Sequence, residues 1–308
     1  MARSFGYMQT RIKSSFIYLA NAVSDLRSNW ATLVLVLSPL VLLSAMCVLP
    51  DALHLQHALV QKFEPGVRSI GWLPAQTPYA PEIEPGQPVA VQWVIRVRLL
   101  RIVLSLIASL VILVTLCTIR RIEMGTRKAR ILNEAIEVYR DAIKLVPAFF
   151  WILILQLIAI GVGFVLLVIH GLLSLVWLCF AEYALVFDNR RSWPALFYSR
   201  DLIRGNFVKV AVRIAVFMAF WSGFNSWVGG TFFGISLLIG PIGIWTGTLW
   251  ITIFVFALFA SAVFFATIAF FIAAGSRLYQ DLKAIAAERT ATEAQPATAP
   301  LVGSGARQ

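Results

Sequence analysis

The sequence has little charge, since Asp, Glu, Lys and Arg make up 13% of its 308 residues. Soluble domains carry roughly 25% charged and about 45–50% apolar residues. Here 59% of the residues are apolar. A water-soluble fold of this composition would expose far too much apolar surface, so an ordinary soluble domain is excluded.

Cysteine and histidine are scarce, with three residues of each. Cys47, Cys117 and Cys179 lie in apolar runs without a CxxC pair, which argues against a disulfide framework and a zinc site. The sequence also lacks a Ser-His-Asp order, an HExxH motif, a phosphate-binding loop and a dinucleotide fingerprint. We therefore expect no catalytic residues, no metal and no cofactor.

Basic residues exceed acidic ones, giving a formal net charge of +11, yet no basic groove with exposed aromatic residues indicates nucleic-acid binding. Lys and Arg instead gather in the segments between apolar runs. This is typical of cytoplasmic loops in membrane proteins, where they also contact anionic lipid. We expect membrane lipids as partners, with anionic lipid at the cytoplasmic face, and no nucleic acid.

Several apolar runs reach the roughly 20 residues that a helix needs to cross a bilayer core of about 30 Å. The run 148–187 would be about 60 Å long as one helix and must fold back, with His170-Gly171 as the turn. The sequence thus predicts an all-α polytopic membrane bundle with about six transmembrane helices and cytoplasmic interfacial amphipathic helices. The predicted spans cover 30–49, 99–119, two within 148–187, 208–228 and 250–274.

Charge predicts which ends of the spans face the cytoplasm. The segment before residue 30 carries four basic residues and one acid, 119–147 carries seven and four, and 188–209 carries five and two. The outer segment 50–97 reverses the balance, with three and four. Both termini are therefore predicted to be cytoplasmic.

Three parts of the chain are predicted: a cytoplasmic amphipathic segment (1–29), a membrane domain (30–288) and a disordered cytoplasmic tail (289–308). The outer loop 50–97 is rich in Pro and Gly, which disfavour a helix. Glycines and Pro241 also interrupt the apolar stretch after residue 228. For residues 231–247 the sequence leaves three alternatives open: a re-entrant segment, an interfacial loop or a seventh span.

Two polar segments between spans have helical signals. In 122–146, apolar and charged residues take opposite faces at helical spacing, which predicts an amphipathic helix in the membrane interface. A second, shorter helix is predicted after Ser192 as its cap, with Pro194 in the first turn and Gly205 at the end.

These two segments also share a pattern. AIEVYRDAIK (135–144) and ALFYSRDLIR (195–204) match in Ala, an aliphatic residue, Arg-Asp, Ile and a final basic residue. A segment with weaker similarity to this pattern precedes the first span. We interpret this as three units, each an interfacial helix followed by a transmembrane hairpin; the alternative is that interfacial helices share this composition without a repeat.

Residues 181–210 resemble the signature of a bacterial six-helix membrane family. It includes the membrane domain of some glycerophosphoryl diester phosphodiesterases and uncharacterised stand-alone relatives of the YciC type. The matching positions are Asp188, Ala195, Leu196, Ser199, Leu202, Arg204, Gly205, Asn206 and Phe207. The closing run LYQDLK (278–283) is similar to the Leu-Tyr-x-Asp-Leu-Arg that ends the family's last span.

The resemblance covers about residues 100–285 and implies a protein of the bacterial inner membrane. It implies no catalysis, because the phosphodiesterase activity belongs to a separate barrel domain to which none of this sequence corresponds. The motif residues are expected to be structural.

Arg96, Arg98 and Arg101 lie at the outer end of the second span, against the positive-inside trend. They are candidates to bind lipid phosphate or an anionic substrate through charge-assisted hydrogen bonds. The alternatives are pairing with Glu82 or Glu84, or side chains that extend to the interface.

Glu182 is the only acid well inside a predicted span, and an intramembrane carboxyl is a candidate for proton or substrate coupling. The simpler alternative is that it reaches the interface or pairs with Arg213. His54 and His57 are three residues apart, but two His without a third ligand predict no metal site.

Three functions stay open. The interfacial helices, the outer arginines and the nearly charge-free spans favour handling of lipid or another amphiphile. The protein could equally be a scaffold for other membrane or envelope proteins, with a membrane-protein partner or as a homo-oligomer. A solute or ion transporter using Glu182 is the third alternative.

Overall fold

The computed structural model describes residues 12–67, 89–124, 131–245 and 248–294. All regular secondary structure in these ranges is α-helical, which confirms the predicted all-α class. The helices are α1 (Ser15–Ser28), α2 (Trp30–Val67), α3 (Val89–Glu123), α4 (Ile131–Leu166), α5 (Val168–Leu178), α6 (Ala181–Asp188), α7 (Trp193–Ile203), α8 (Phe207–Trp245) and α9 (Leu249–Ala294).

Six segments in the described ranges are long and apolar enough to cross a membrane. Their number agrees with the six predicted spans, and the chain is a multi-pass membrane protein. The segments are Trp30–Pro50, Arg98–Glu123, Ile131–Leu166, Val168–Asp188, Phe207–Thr231 and Trp250–Ala291.

The last helix, α9, is central to the bundle, because it packs against α1, α2, α3, α7 and α8. Its buried face includes Ala269, Ala273 and Ala274, and such small side chains let helices approach closely. Large apolar side chains on the outside of the bundle, such as Leu157 and Trp227, are exposed. That distribution suits a protein surrounded by hydrocarbon.

The two ends of the bundle differ in charge. One end, called the basic end, holds residues 12–29, 119–124, 131–146, 188–206 and 277–291, and ion pairs such as Asp25–Arg277 connect its segments. The other end, called the opposite end, holds the described parts of the connections that follow the first, third and fifth spans. Both described chain ends therefore lie at the basic end, as an even number of spans requires.

Helix extends further into the predicted outer loop than its Pro and Gly content indicated. α2 continues through Pro50 to Val67, and α3 begins at Val89. The prediction of an extended loop over 50–97 is therefore wrong at both ends, and 68–88 lie outside the described residues. Pro50 removes one intrahelical hydrogen bond, but the following run DALHLQHALVQKF consists mostly of good helix formers.

The predicted interfacial helix and the third span form one helix, since α4 runs for 36 residues through Pro147. The prediction of a separate helix lying in the interface is therefore wrong. Ile136 and Ile143, on the apolar face of the predicted amphipathic helix, are exposed, whereas Ala135, Val138 and Ala142 are buried. The basic-end half of α4 thus has two apolar strips, one facing the core and one facing outwards.

The glycine-rich segment does not interrupt α8, which continues for 39 residues to Trp245. The predicted breaks are wrong for 229–245, and these residues continue α8 instead of forming a loop or a separate seventh helix. An isolated Gly costs a helix only about 1 kcal/mol relative to Ala, and backbone groups in an apolar environment must stay hydrogen-bonded. α9 likewise extends to Ala294, past the predicted start of a disordered tail at 289; residues 295–308 lie outside the described ones.

The second short helix is confirmed as α7. Pro194 lies in its first turn, and Gly205 follows its end at a φ of +87°. The prediction that Ser192 caps the helix is wrong for the side chain, which makes no capping hydrogen bond. Ser192 instead contributes its backbone carbonyl, which accepts from Ala195 N at 3.1 Å.

The turn between the third and fourth spans lies at Leu167, not at His170-Gly171, which belong to the first turn of α5. Two glycines explain how tightly this hairpin closes. A Cβ atom on Gly163 would lie 3.0 Å from the Cα of Gly171, and a Cβ on Gly171 would overlap the ring of Phe164. The two helix backbones are therefore in direct contact.

We expect Gly163→Ala to lower the free energy of unfolding by about 1–3 kcal/mol, because the added methyl group pushes the two helices apart. Gly161→Ala is the matched control, since nothing lies within 4 Å of a Cβ at that position. The control should be neutral or stabilising by about 0.5–1 kcal/mol. Thermal denaturation in detergent measures both, and equal shifts for the two variants would contradict the packing argument.

Candidate functional site

The fourth span is interrupted near its middle, which the sequence did not indicate. α5 ends at Leu178, α6 starts at Ala181, and Cys179 and Phe180 form a turn between them. A helix break inside a membrane leaves backbone groups without partners, so other side chains must bind them.

Two polar side chains from neighbouring helices bind these backbone groups. Gln156 of α4 donates from Nε2 to the carbonyl of Leu178 at 2.8 Å. The hydroxyl of Ser199, on α7, donates to the carbonyl of Trp177 at 2.6 Å and accepts from the amide of Phe180 at 3.2 Å. Ser199 is completely buried. In this structure the hydroxyl of Ser199 therefore supports the backbone at the helix break.

Glu182 follows the break and lies in the first turn of α6. The predicted pairing with Arg213 is wrong, because Arg213 binds the carbonyls of Ile12, Lys13 and Lys209. Within the described ranges the Glu182 carboxylate has no hydrogen bond or ion pair.

The two motifs that carry the family resemblance contact each other. The Tyr279 hydroxyl and the Lys283 ammonium group both bind the carboxylate of Asp188. The ring of Tyr279 also packs within 6 Å, between ring centroids, of Phe180, Tyr183 and Phe187. The closing run of α9 is therefore bound to α6 by both charge and aromatic contact.

The same closing run also binds the start of the chain. Arg277 forms a bidentate ion pair with Asp25, with N–O distances of 3.0 and 2.8 Å. The Tyr18 hydroxyl donates to Asp281 at 2.7 Å, and burial together with this carboxylate raises the pKa of Tyr18. Tyr18 therefore stays protonated and donates at ordinary pH. Gln280 in turn binds Glu123 at the end of α3.

The remaining motif residues shape the link between α7 and α8. Ala195, Leu196 and Leu202 are buried, and the ring of Phe207 packs edge-on against Trp177. Asn206 N donates to the carbonyl of Ile203 at 2.9 Å, and the guanidinium group of Arg289 lies over Gly205. Arg204 is exposed at this link. Together these residues hold the basic end in place.

A cleft of about 640 Å³ opens between α2, α3, α8 and α9 in the half of the bundle nearer the opposite end. Arg101, one of the candidate anion-binding residues, lines it and has no ion pair within the described ranges. The hydroxyls of Ser44 and Ser261 are hydrogen-bonded to each other in its wall at 3.0 Å. Most other lining residues are apolar: Leu104, Ala108, Val228, Ala260, Val263, Phe264 and Phe265.

Of the other candidate residues, Arg98 is exposed and does not line this cleft. The side chains of Arg96, His54 and His57 lie outside the described part, as do Glu82 and Glu84. Ser44 and Asn225 line the cleft and Gln156 binds the helix break, and sequence reasoning missed all three. The signal available was a polar residue inside an apolar run.

A second cavity, of about 470 Å³, lies at the basic end between α3, α4 and the link from α6 to α7. Arg121 projects into it and binds Glu137 at 2.7 Å and Asp141 at 2.5 Å. Its lining also includes Arg120, Lys144 and Arg191. The sequence singled out none of these residues as a site.

Comparison of the chain with models of protein families, with curated proteins and with solved structures finds no match. The resemblance to the six-helix family stays a prediction. The cleft lined by Arg101, called the outer cleft from here on, is the candidate site. The sequence singled out Arg101, and the structure places Arg101 in the lining of this cleft.

We expect Ser199→Ala to destabilise the protein by about 1–3 kcal/mol, because it leaves an amide and a carbonyl at the helix break without a partner. Ser109→Ala is the matched control: Ser109 is half-buried on α3, and its side-chain hydrogen bond within the described ranges goes to the carbonyl of Ser105 in its own helix. Thermal denaturation in detergent distinguishes the two variants. A Ser199→Ala variant as stable as the control would show that the break needs no side-chain partner.

Proposed function

We propose that this chain is a non-catalytic membrane protein that holds a lipid, or another amphiphile with an anionic head group, in the outer cleft. The observation that carries the proposal is the combination of Arg101, a cation with no ion pair among the described residues, with apolar walls. An anionic head group would bind the guanidinium group through charge-assisted hydrogen bonds. The apolar part of the same molecule would lie along α8 and α9.

The size of the cleft supports this occupant. Pockets for small molecules have volumes of about 300–1,000 Å³, and this cleft measures about 640 Å³. Arg101 and Ser105 in its lining are exposed to the surroundings of the bundle, so a molecule can enter from the bilayer. Removal of an amphiphile from the bilayer costs less when its apolar part meets apolar walls.

The proposed setting is the inner membrane of a bacterial cell, with the basic end in the cytoplasm and the cleft towards the outer leaflet. The excess of Lys and Arg at the basic end supports this orientation. The assignment to the bacterial inner membrane is based on the family resemblance of residues 181–210.

Filling the cleft tests the proposal. Gly229 lines the cleft and its neighbour Gly230 does not, and in both cases nothing lies within 4 Å of an added Cβ. We expect Gly229→Phe to block uptake of an anionic lipid and Gly230→Phe to leave it unchanged. Arg101→Gln should weaken binding about tenfold, whereas Arg98→Gln, outside the cleft, should have a smaller effect.

The measurement is binding of fluorescent phosphatidylglycerol to the purified protein in detergent, with movement of the same lipid in reconstituted vesicles as the second readout. Equal binding by the Gly229→Phe and Gly230→Phe variants would show that the cleft is not the site. If no lipid binds or moves and Arg98→Ala with Arg101→Ala leaves cells unaffected, a scaffold role becomes the better explanation. Co-purification of a specific membrane partner in mild detergent would then support that role.

The helix break gives one specific reason to keep transport as a second candidate. Interrupted helices form substrate and ion sites in several transporter folds, and ionisable side chains inside a membrane often mark ion pathways. Glu182 follows the break, and its carboxylate has no hydrogen bond or ion pair in the part of the chain that the structure describes. If Glu182 couples ions, Glu182→Gln abolishes ion-dependent uptake into vesicles while thermal stability changes little. Unchanged uptake would show that Glu182 does not couple ions.

A further inference from the structure

The cavity at the basic end contains more positive charge than its own acids neutralise. Among the described residues, four cations and two carboxylates line it, which leaves a net charge of +2. Arg121 binds both carboxylates, Glu137 and Asp141. The other three cations have no ion pair or hydrogen bond from their side chains within the described ranges.

Those three cations come from three different parts of the fold. Arg120 is at the end of α3, Lys144 is on α4, and Arg191 is in the link between α6 and α7. Like charges repel each other, so their convergence on one cavity lowers stability unless an anion occupies it. The ion pairs of Arg121 with α4 fix the distance between two of these elements.

We propose that Arg120, Lys144 and Arg191 form a binding site for a phosphate group at the basic end of the bundle. A phosphate carries between one and two negative charges at neutral pH and offers several acceptor oxygens, which matches the net charge of the cavity. Arg presents a planar fork of donors and Lys a compact charge, and both are usual phosphate ligands. This site is separate from the outer cleft and does not depend on its occupant.

The phosphate belongs to a lipid head group or to a soluble phosphate ester. The position of the cavity favours the lipid. Arg120 is near the end of the candidate span Arg98–Glu123, where head groups of a bilayer lie. The residue before Lys144, Ile143, and Trp193, two residues after Arg191, are both exposed and apolar. Trp at this level is typical of the membrane interface.

The test compares two variants of equal charge. The site variant combines Arg120→Gln, Lys144→Gln and Arg191→Gln. The control combines Arg27→Gln, Arg140→Gln and Lys209→Gln. These three cations are exposed, lie near the same end of the bundle and do not line the cavity. Both variants lose three positive charges and therefore a similar long-range attraction to anionic lipid. The difference between them therefore measures the site.

Binding is measured by the thermal stabilisation of the full chain in neutral detergent on titration with phosphatidylglycerol, phosphatidylcholine or glycerol 3-phosphate. We expect phosphatidylglycerol to stabilise the wild type. The site variant should need at least about tenfold more of this lipid than the control. The single variant Arg191→Gln, at an exposed position, should show part of the same loss if the triple variant does not purify.

The three probes distinguish the sources of the phosphate. Stabilisation by phosphatidylglycerol alone, reduced in the site variant, supports a lipid head group. Stabilisation by glycerol 3-phosphate, also reduced in the site variant, supports a soluble ester. The proposal is overturned if neither stabilises the wild type, or if the site variant and the control lose equal affinity. Because Gly229→Phe leaves this cavity unchanged, failure of the outer cleft can be told apart from failure of this site.

Discussion

A backbone amide or carbonyl surrounded by hydrocarbon has no water to bind, and this restriction organises the bundle. It explains why α8 stays helical across its glycines and why α2 continues through Pro50. It is most visible at Cys179 and Phe180, where a span is broken and Ser199 with Gln156 binds the freed groups. Because Ser199 lies on α7, the break also fixes that helix against the fourth span. The short helix α7 is therefore part of the packed core of the bundle.

The basic end depends on side-chain contacts made by α9. Its closing run, with Arg277 just before it, binds three other helices: Arg277 and Asp281 bind α1, Gln280 binds α3, and Tyr279 with Lys283 binds Asp188 of α6. Two of these contacts, Tyr18–Asp281 and Asp25–Arg277, join residues more than 250 positions apart in sequence. They can form only after the last span is in place, so α9 completes the bundle. The motif positions at 188 and 278–283 are thus two halves of one interface.

The sequence predicted the six spans and α7 well, because apolar length and the Pro-first, Gly-last pattern are local signals. It failed where a distant residue decides the structure. Leu167 becomes the turn because Gly163 and Gly171 let two helices touch, and the break at Cys179 depends on Ser199, twenty residues away. Arg101 became a candidate because its position runs against the positive-inside trend. The cation cavity was missed because its members come from three separate segments.

Two hydrogen bonds bear on the proposed internal repeat. Tyr139 and Ser199 occupy the same position in the two ten-residue copies, and each donates a hydroxyl to a backbone carbonyl of an earlier span, that of Val36 or Trp177. The copies differ in that the first is continuous with α4, whereas the second ends before α8. A common ancestor would explain the shared hydroxyl; common demands of an interfacial helix would not fix its position.

The two proposed binding regions are related through α3. Arg101 lies on the outer cleft and Arg120 on the basic-end cavity, and 19 residues of helix separate them by about 28 Å. That distance is close to the roughly 30 Å of a hydrocarbon core. One helix therefore places one arginine at each head-group level, with an apolar stretch between them. A protein that only crossed the bilayer would need neither cation to line a cavity, and here both do.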